Sequence, residues 1–142
     1  MTRTPIRAYE TAALASKIMG ESPHGLVRMT LEKACEKLLL AEETINLIMK
    51  GEDVPENMVV FSQSTHHALE IIASLQDALV PDASQTLYDQ LKGLYEHVQH
   101  QILLGISQQK PEPIRQAHKV VSEILEMWVS IPAEHHAISS LD

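Results

Sequence analysis

A single cysteine, Cys35, occurs in 142 residues, so no intrachain disulfide can form and no cysteine-based zinc site can be assembled. Aromatic residues are scarce at 4%, with one Phe and one Trp, and β-branched alternation over a strand length is absent. No stretch approaches 18 consecutive apolar residues and the N-terminus has no apolar run, so neither a membrane span nor a signal peptide is expected. Lys and Arg number 11 against 19 Asp and Glu, a formal net charge of −8. That balance excludes the basic footprint of a nucleic-acid binder and disfavours anionic membrane surfaces. There is no glycine-rich phosphate loop, no Ser-His-Asp signature and no motif that calls for a cofactor. The expectation is a soluble cytoplasmic protein of one helical domain spanning residues 1–142.

What the chain does have is heptad-like spacing. From Ser22, an N-cap residue, and Pro23, suited to a first helical turn, to Gly51, the apolar positions Val27, Leu31, Ala34, Leu38, Ala41, Ile45 and Ile48 recur at four and three residues in alternation. Such a seam packs against other long helices at a shallow angle. A second seam, Met58, Phe61, Thr65, Ala68, Ile72, Leu75 and Leu79, follows Pro55 and closes at Val80-Pro81. A third segment starts near Asp82 or Ser84. Its stripe is Leu87, Leu91, Leu94 and Val98, with Tyr88, Tyr95 and Ile102 beside it, and it weakens at Gly105. After Lys110-Pro111-Glu112-Pro113 comes a fourth seam of Ile114, Ala117, Val121, Ile124, Trp128 and Ile131, ended by Pro132.

The reading is an all-α, antiparallel four-helix bundle with helices at about 23–50, 55–79, 84–108 and 113–131. A short cap helix at about 8–19, carrying Tyr9, would lie outside it, and the tail from about 133 to 142 shows no period. Trp128 is expected to be largely buried.

Three kinds of site compete on such a scaffold. Eight histidines suggest a metal bundle, yet only Glu21 and His24 have the Glu-x-x-His spacing, and Pro23 separates them. A histidine phosphotransfer module would use His67, but Glu70 stands one turn on, where a phosphate needs a cation. Cys35 has no basic neighbour except Lys33 or Lys37 and reads as a packing residue. The third kind is apolar surplus. Leu26, Met29, Leu39, Leu40, Leu47 and Met49 on the first long helix, and Val59, Val60 and Ile71 on the second, fall outside the seams. A monomeric bundle needs one stripe per helix, so the extra apolar surface reads either as a partner site or as a wide core covered by the Tyr9 segment, and periodicity alone does not choose between them. Leu26, Met29, Leu40, Leu47 and Ile71 are the candidate groove residues.

Ala8-Tyr9, then Ser22-Pro23-His24 with Leu26-Val27 and Met29, then Ala34, Leu38, Ala41 and Ile45 resemble the FliS-type flagellin export chaperones. The match continues at Ala68-Leu69-Glu70-Ile71-Ile72 with Leu75 and Leu79, at Leu91 with Leu94-Tyr95, and at Ile124-Leu125-Glu126 with Trp128. The chain departs from that pattern at Thr30-Leu31-Glu32-Lys33, where the family has Leu-Tyr-Asp-Gly, at Pro81 to Ser84, where it has Gly-Gly, and at Gly105-Ile106, where it has Ala-Asn. The resemblance implies a cytoplasmic chaperone that is not an enzyme. It would bind the C-terminal segment of flagellin, prevent premature polymerisation and assist delivery to the flagellar export gate. It also implies that the Tyr9 segment packs on the bundle as a detachable cap and that Tyr9 contributes to the groove. A homodimer through the same groove is compatible with the surplus.

Overall fold

The computed structural model describes residues 23–79 and 85–130. The expectations for Tyr9 and the cap helix, the Ser22 cap, Val80 to Ser84, the Leu87 side chain, Ile131 and the C-terminal tail lie outside the described residues. Four helices are present, α1 (Pro23–Met49), α2 (Val54–Asp77), α3 (Gln85–Gln108) and α4 (Pro111–Ser130), and there is no strand among the described residues.

The helix ends follow local chemistry. Gly51 takes a φ of +76°, and its N–H reaches the Ile48 carbonyl at 2.9 Å, while the Glu52 N–H reaches Leu47 at 3.0 Å. This paired closure uses the left-handed freedom of glycine to satisfy two otherwise orphaned carbonyls of α1. Asp53 also has a positive φ and offers no side-chain cap to α2. Instead its carbonyl accepts from the Asn57 N–H, and the Asn57 side-chain amide donates to the Glu52 carbonyl at 2.9 Å. Pro55 occupies the first turn of α2, where no N–H is required. Between α3 and α4 only Gln109 and Lys110 intervene, with Gln109 at φ +51° and Pro111 opening α4.

These links are too short to return a chain along a helix of 24 residues, about 36 Å at 1.5 Å per residue. Consecutive helices therefore run antiparallel. The register of α1 on α4 shows the same direction: Cys35 Sγ lies 3.7 Å from Ser122 Oγ, and Arg115 Nε donates to Glu42 at 3.0 Å. One heptad forward on α1 is one heptad back on α4. Among the described residues each helix packs on two neighbours, α1 on α2 and α4, and α3 on α2 and α4, while the diagonal pairs keep their Cα atoms more than 8 Å apart. The result is an antiparallel four-helix bundle with up-down-up-down order.

Its core is the middle of the seams: Met58, expected in the α2 seam, is 41% exposed, and Val27, Ile48 and Leu79 are half-buried. Leu31, Ala34, Leu38, Ala41 and Ile45 of α1 are fully buried, as are Ala68 and Ile72 of α2, Val98 and Ile102 of α3, and Ile114, Ala117 and Val121 of α4. On α3 the buried line is Leu91, Tyr95, Val98 and Ile102, so Tyr95 and Ile102 are central where the spacing placed them beside the stripe, and Leu94 is only half-buried.

Gly105 explains the correction. Far from weakening the helix, it continues this line, and a Cβ added to it would lie 2.6 Å from Ile114 Cγ1. The absent side chain lets α3 and α4 approach beside their short link. Counting in antiparallel steps from that contact sets Ile102 level with Ala117, Val98 with Val121 and Tyr95 with Ile124. Trp128 is half-buried rather than largely buried, and it packs against the edge of the core cluster.

The α1–α2 contact uses small polar residues. Thr44, Ser64, Thr65 and Ser74 are buried. Each donates its hydroxyl to a carbonyl one turn earlier, as in Thr65 to Phe61 at 2.8 Å and Ser74 to Glu70 at 2.9 Å. Their polarity is thus satisfied within the helix, and their small volume brings α1 and α2 together.

Candidate functional site

Apolar residues outside the seams are candidates for surface that the fold itself does not consume, and their burial decides which of them are. On α1, Leu26, Lys33, Leu40 and Leu47 fall at seven-residue intervals and so form one stripe along the helix. The opposite flank of the seam, with Cys35 and Glu42, is the one that meets α4, which leaves this stripe on the α2 side. Leu26 is buried, Leu47 is half-buried and Leu40 is 37% exposed. Met29, beside the stripe, is half-buried. Ile71 of α2 is buried within the core cluster at 4% exposure, packed with the seams. Of the residues selected from sequence, Leu40 and Leu47 are thus the ones with surface to offer on a shared stripe. Tyr9 lies outside the described residues.

Charge is arranged along the same flank. Lys33 pairs with Glu36 at 3.1 Å. Lys37 is half-buried, whereas every other described lysine is exposed. Across from it on α2, the His67 imidazole is held below its ordinary range, first by partial burial and then by the positive field of Lys37, against an opposing pull from Glu70, with Lys33 adding the least. At neutral pH His67 is therefore uncharged. His66 and Glu70 face each other at 3.9 Å along α2, and with Ser62, Gln63 and His67 they line an open surface hollow. Among the described residues no three His, Cys, Asp or Glu side chains converge as a metal site would require. The Cys35 thiol is pushed up from its ordinary value, chiefly by burial, and it shares a hydrogen bond with Ser122. A raised thiol is a poor nucleophile.

A second apolar surface lies where α2 meets α3. Met58, Phe61, Ser62, Thr65, His66, Ile106 and Gln109 line a hollow of about 300 Å³. Val59 and Leu103 are more than half exposed on the same two helices. Val59 belongs to the surplus visible in the sequence. Leu103 and Ile106 do not, because the periodic reading of α3 stopped at Gly105. Continuing the seam through Gly105 would have exposed both as apolar residues one position off the line. Lys37 was missed for a different reason: it was weighed only as a neighbour of Cys35, which lies on another side of the helix.

Among the described residues the arrangement offers shallow apolar rows edged by polar groups and no cluster of three His, Cys, Asp or Glu that could hold a metal. A protein-family model described as flagellar protein FliS matches residues 5–135 of the 142. The chain belongs to the FliS family. A relative from Vibrio cholerae serotype O1 (strain ATCC 39315 / El Tor Inaba N16961), named flagellar secretion chaperone FliS, is 25% identical over 143 residues, covering 99% of this chain and 97% of its own. Family membership accords with a binding protein rather than an enzyme. No described helix is long and apolar enough to cross a membrane.

Proposed function

We propose that this chain is a flagellar export chaperone that binds the C-terminal segment of flagellin in the cytosol, keeps it from polymerising, and helps deliver it to the flagellar export apparatus. The observation that carries the reading is the Leu40 and Leu47 row. It lies outside a core already complete without it, on a chain of the FliS family. An amphipathic helix laid along α1 and α2 would cover these leucines with its own apolar face. A client that is unstructured until bound loses chain entropy on docking, so a contact along several helical turns is required, and α1 offers about 40 Å of length. Covering the client's apolar face removes the surface through which it would assemble with its own kind. No bond is made or broken, so no cofactor is involved.

The test is direct. The full chain, mixed with the C-terminal segment of flagellin from the same bacterium, should form a complex by calorimetry and suppress flagellin polymerisation. Leu40→Glu and Leu47→Glu should weaken that complex while circular dichroism keeps the helix content of the parent. Absence of a complex, or undiminished polymerisation, would overturn the reading.

A further inference from the structure

Lys37 is the residue that the fold leaves unfinished. It is the only described lysine that is half-buried, and among the described residues no carboxylate lies within 4 Å of its ammonium. The neighbouring cations are engaged: Lys33 with Glu36, Arg28 with Glu32, and Arg115 with both Glu42 and Glu112. Lys37 also stands three residues from Leu40, on the flank of α1 that meets α2, so the two side chains are neighbours on the helix surface. Anything that covers Leu40 and Leu47 must also take water away from Lys37. Removing water from a cation is costly unless an acceptor replaces it. His67, on the facing helix, is neutral at pH 7 and adds no second positive charge to the spot.

Resting on the function proposed above, we infer that the α1–α2 face selects an amphipathic helix with a carboxylate on its apolar face, placed to pair with Lys37 while aliphatic side chains cover Leu40 and Leu47. The spacing translates into a pattern for the client. Leu40 and Leu47 are seven residues apart and Lys37 lies one turn beyond Leu40. A docked helix matches them with two apolar residues seven apart and an Asp or Glu three or four residues outside that pair. Elsewhere the chain, at −8, repels an acidic segment. Lys37 is therefore a register mark as well as an attraction: a helix slid by one turn, or one lacking the acid, leaves the ammonium covered and unpaired.

The experiment uses the full chain and the C-terminal segment of flagellin from the same bacterium, with affinities read by calorimetry at low and at high salt. Lys37→Glu should raise Kd by at least tenfold at low salt, and Lys37→Met by less, both with unchanged helix content. Replacing the paired client acid by Lys should restore binding to the Lys37→Glu chain and weaken binding to the parent. If the client binds and Leu40→Glu weakens it, but Lys37→Glu and Lys37→Met bind like the parent, the inference is overturned and the chaperone reading stands. If binding ignores Leu40→Glu as well, this face is not the docking site and the inference falls. If the parent binds no flagellin segment, the chaperone reading falls and takes this inference with it.

Discussion

Helix α1 carries two rows of large aliphatic residues at the same seven-residue spacing. Leu31, Leu38 and Ile45 form one; Leu26, Leu40 and Leu47 form the other. The first row is fully buried along its length, while the second passes from a buried Leu26 to a half-buried Leu47 and a Leu40 that is 37% exposed. Both rows are aliphatic at multiples of seven residues, the second interrupted by Lys33, so the repeat alone does not decide the role. What differs is the next helix around. The first row faces the middle of the bundle, where α2 and α4 both reach it. The second lies on the outer side of the α1–α2 contact, where Lys33, Lys37 and His67 replace aliphatic partners. Apolar spacing thus marks rows that can be covered. Which of them the chain covers itself depends on the neighbours, and a row left partly open is a resource for something else.

The largest expected effect breaks the comparison at its centre. Leu38→Ala removes a fully buried side chain from a site walled by three helices and should cost about 2–5 kcal/mol in chemical denaturation. Leu40→Ala, two residues on, should cost well under half as much, because water already reaches that side chain. Equal losses would mean that the second row is core and that α1 has no surface to spare.

This contrast also measures how legible the chain was. The seams of α1, α2 and α4 could be read directly, since strict alternation of three and four suits only the bundle interior. The α3 seam was read with Leu94 where Tyr95 belongs, because Leu94 resembles a core leucine more than Tyr95 does, while Leu91 and Val98 were placed correctly. A glycine at its end looked like a break rather than a close approach. The half-burial of Trp128 was invisible to spacing, which marks a helix face and not how fully that face is covered. Ile71 showed the reverse error. It lies off the α2 seam by count, yet the small Ser64 and Ser74 bring α1 close enough to bury it. Lys37 could not be singled out from sequence, because its lack of a counterion depends on where the Glu36, Glu42 and Glu70 side chains go in three dimensions.

Two glycines of α3 repeat the contrast between covered and open rows on a smaller scale. Gly105 lies on the covered row, and Gly105→Ala would drive a methyl group into Ile114, a buried and β-branched residue with little freedom to move. The overpacking should outweigh the better helix propensity of alanine and destabilise the bundle by ~1–3 kcal/mol. Gly93 lies on the open side, and an added Cβ there meets nothing within 4 Å. Gly93→Ala should therefore stabilise by about 0.5–1 kcal/mol, as alanine does over glycine in an exposed helix interior. Opposite signs for the pair, read from thermal midpoints, would show that α3 touches α4 as described. Two increases would place Gly105 outside the contact.

The smallest effect concerns the charge at the edge of the open row. His67 has its imidazole pKa depressed in the folded chain, chiefly by partial burial and then by Lys37 and Lys33, with Glu70 opposing. The sign follows from proton linkage. An unfolded chain takes up a proton at this histidine near the ordinary value of about 6.5, and the folded chain does so only at a lower pH. The contribution of neutral His67 to stability is therefore fully present above about pH 6.5 and is lost as the pH falls through the folded value. The chain holds seven other histidines, so the parent alone does not isolate the effect. The difference between the parent and His67→Gln does. The two chains should hold a constant gap in thermal midpoint from pH 8 to pH 7, and the parent should lose ground to the variant as the pH is taken below 6. The edge of the open row would then be a place where the fold resists added positive charge, as expected of a surface whose one half-buried lysine already lacks a partner. A gap that stays level through pH 5 would mean that His67 is fully solvated and that Lys37 does not face it.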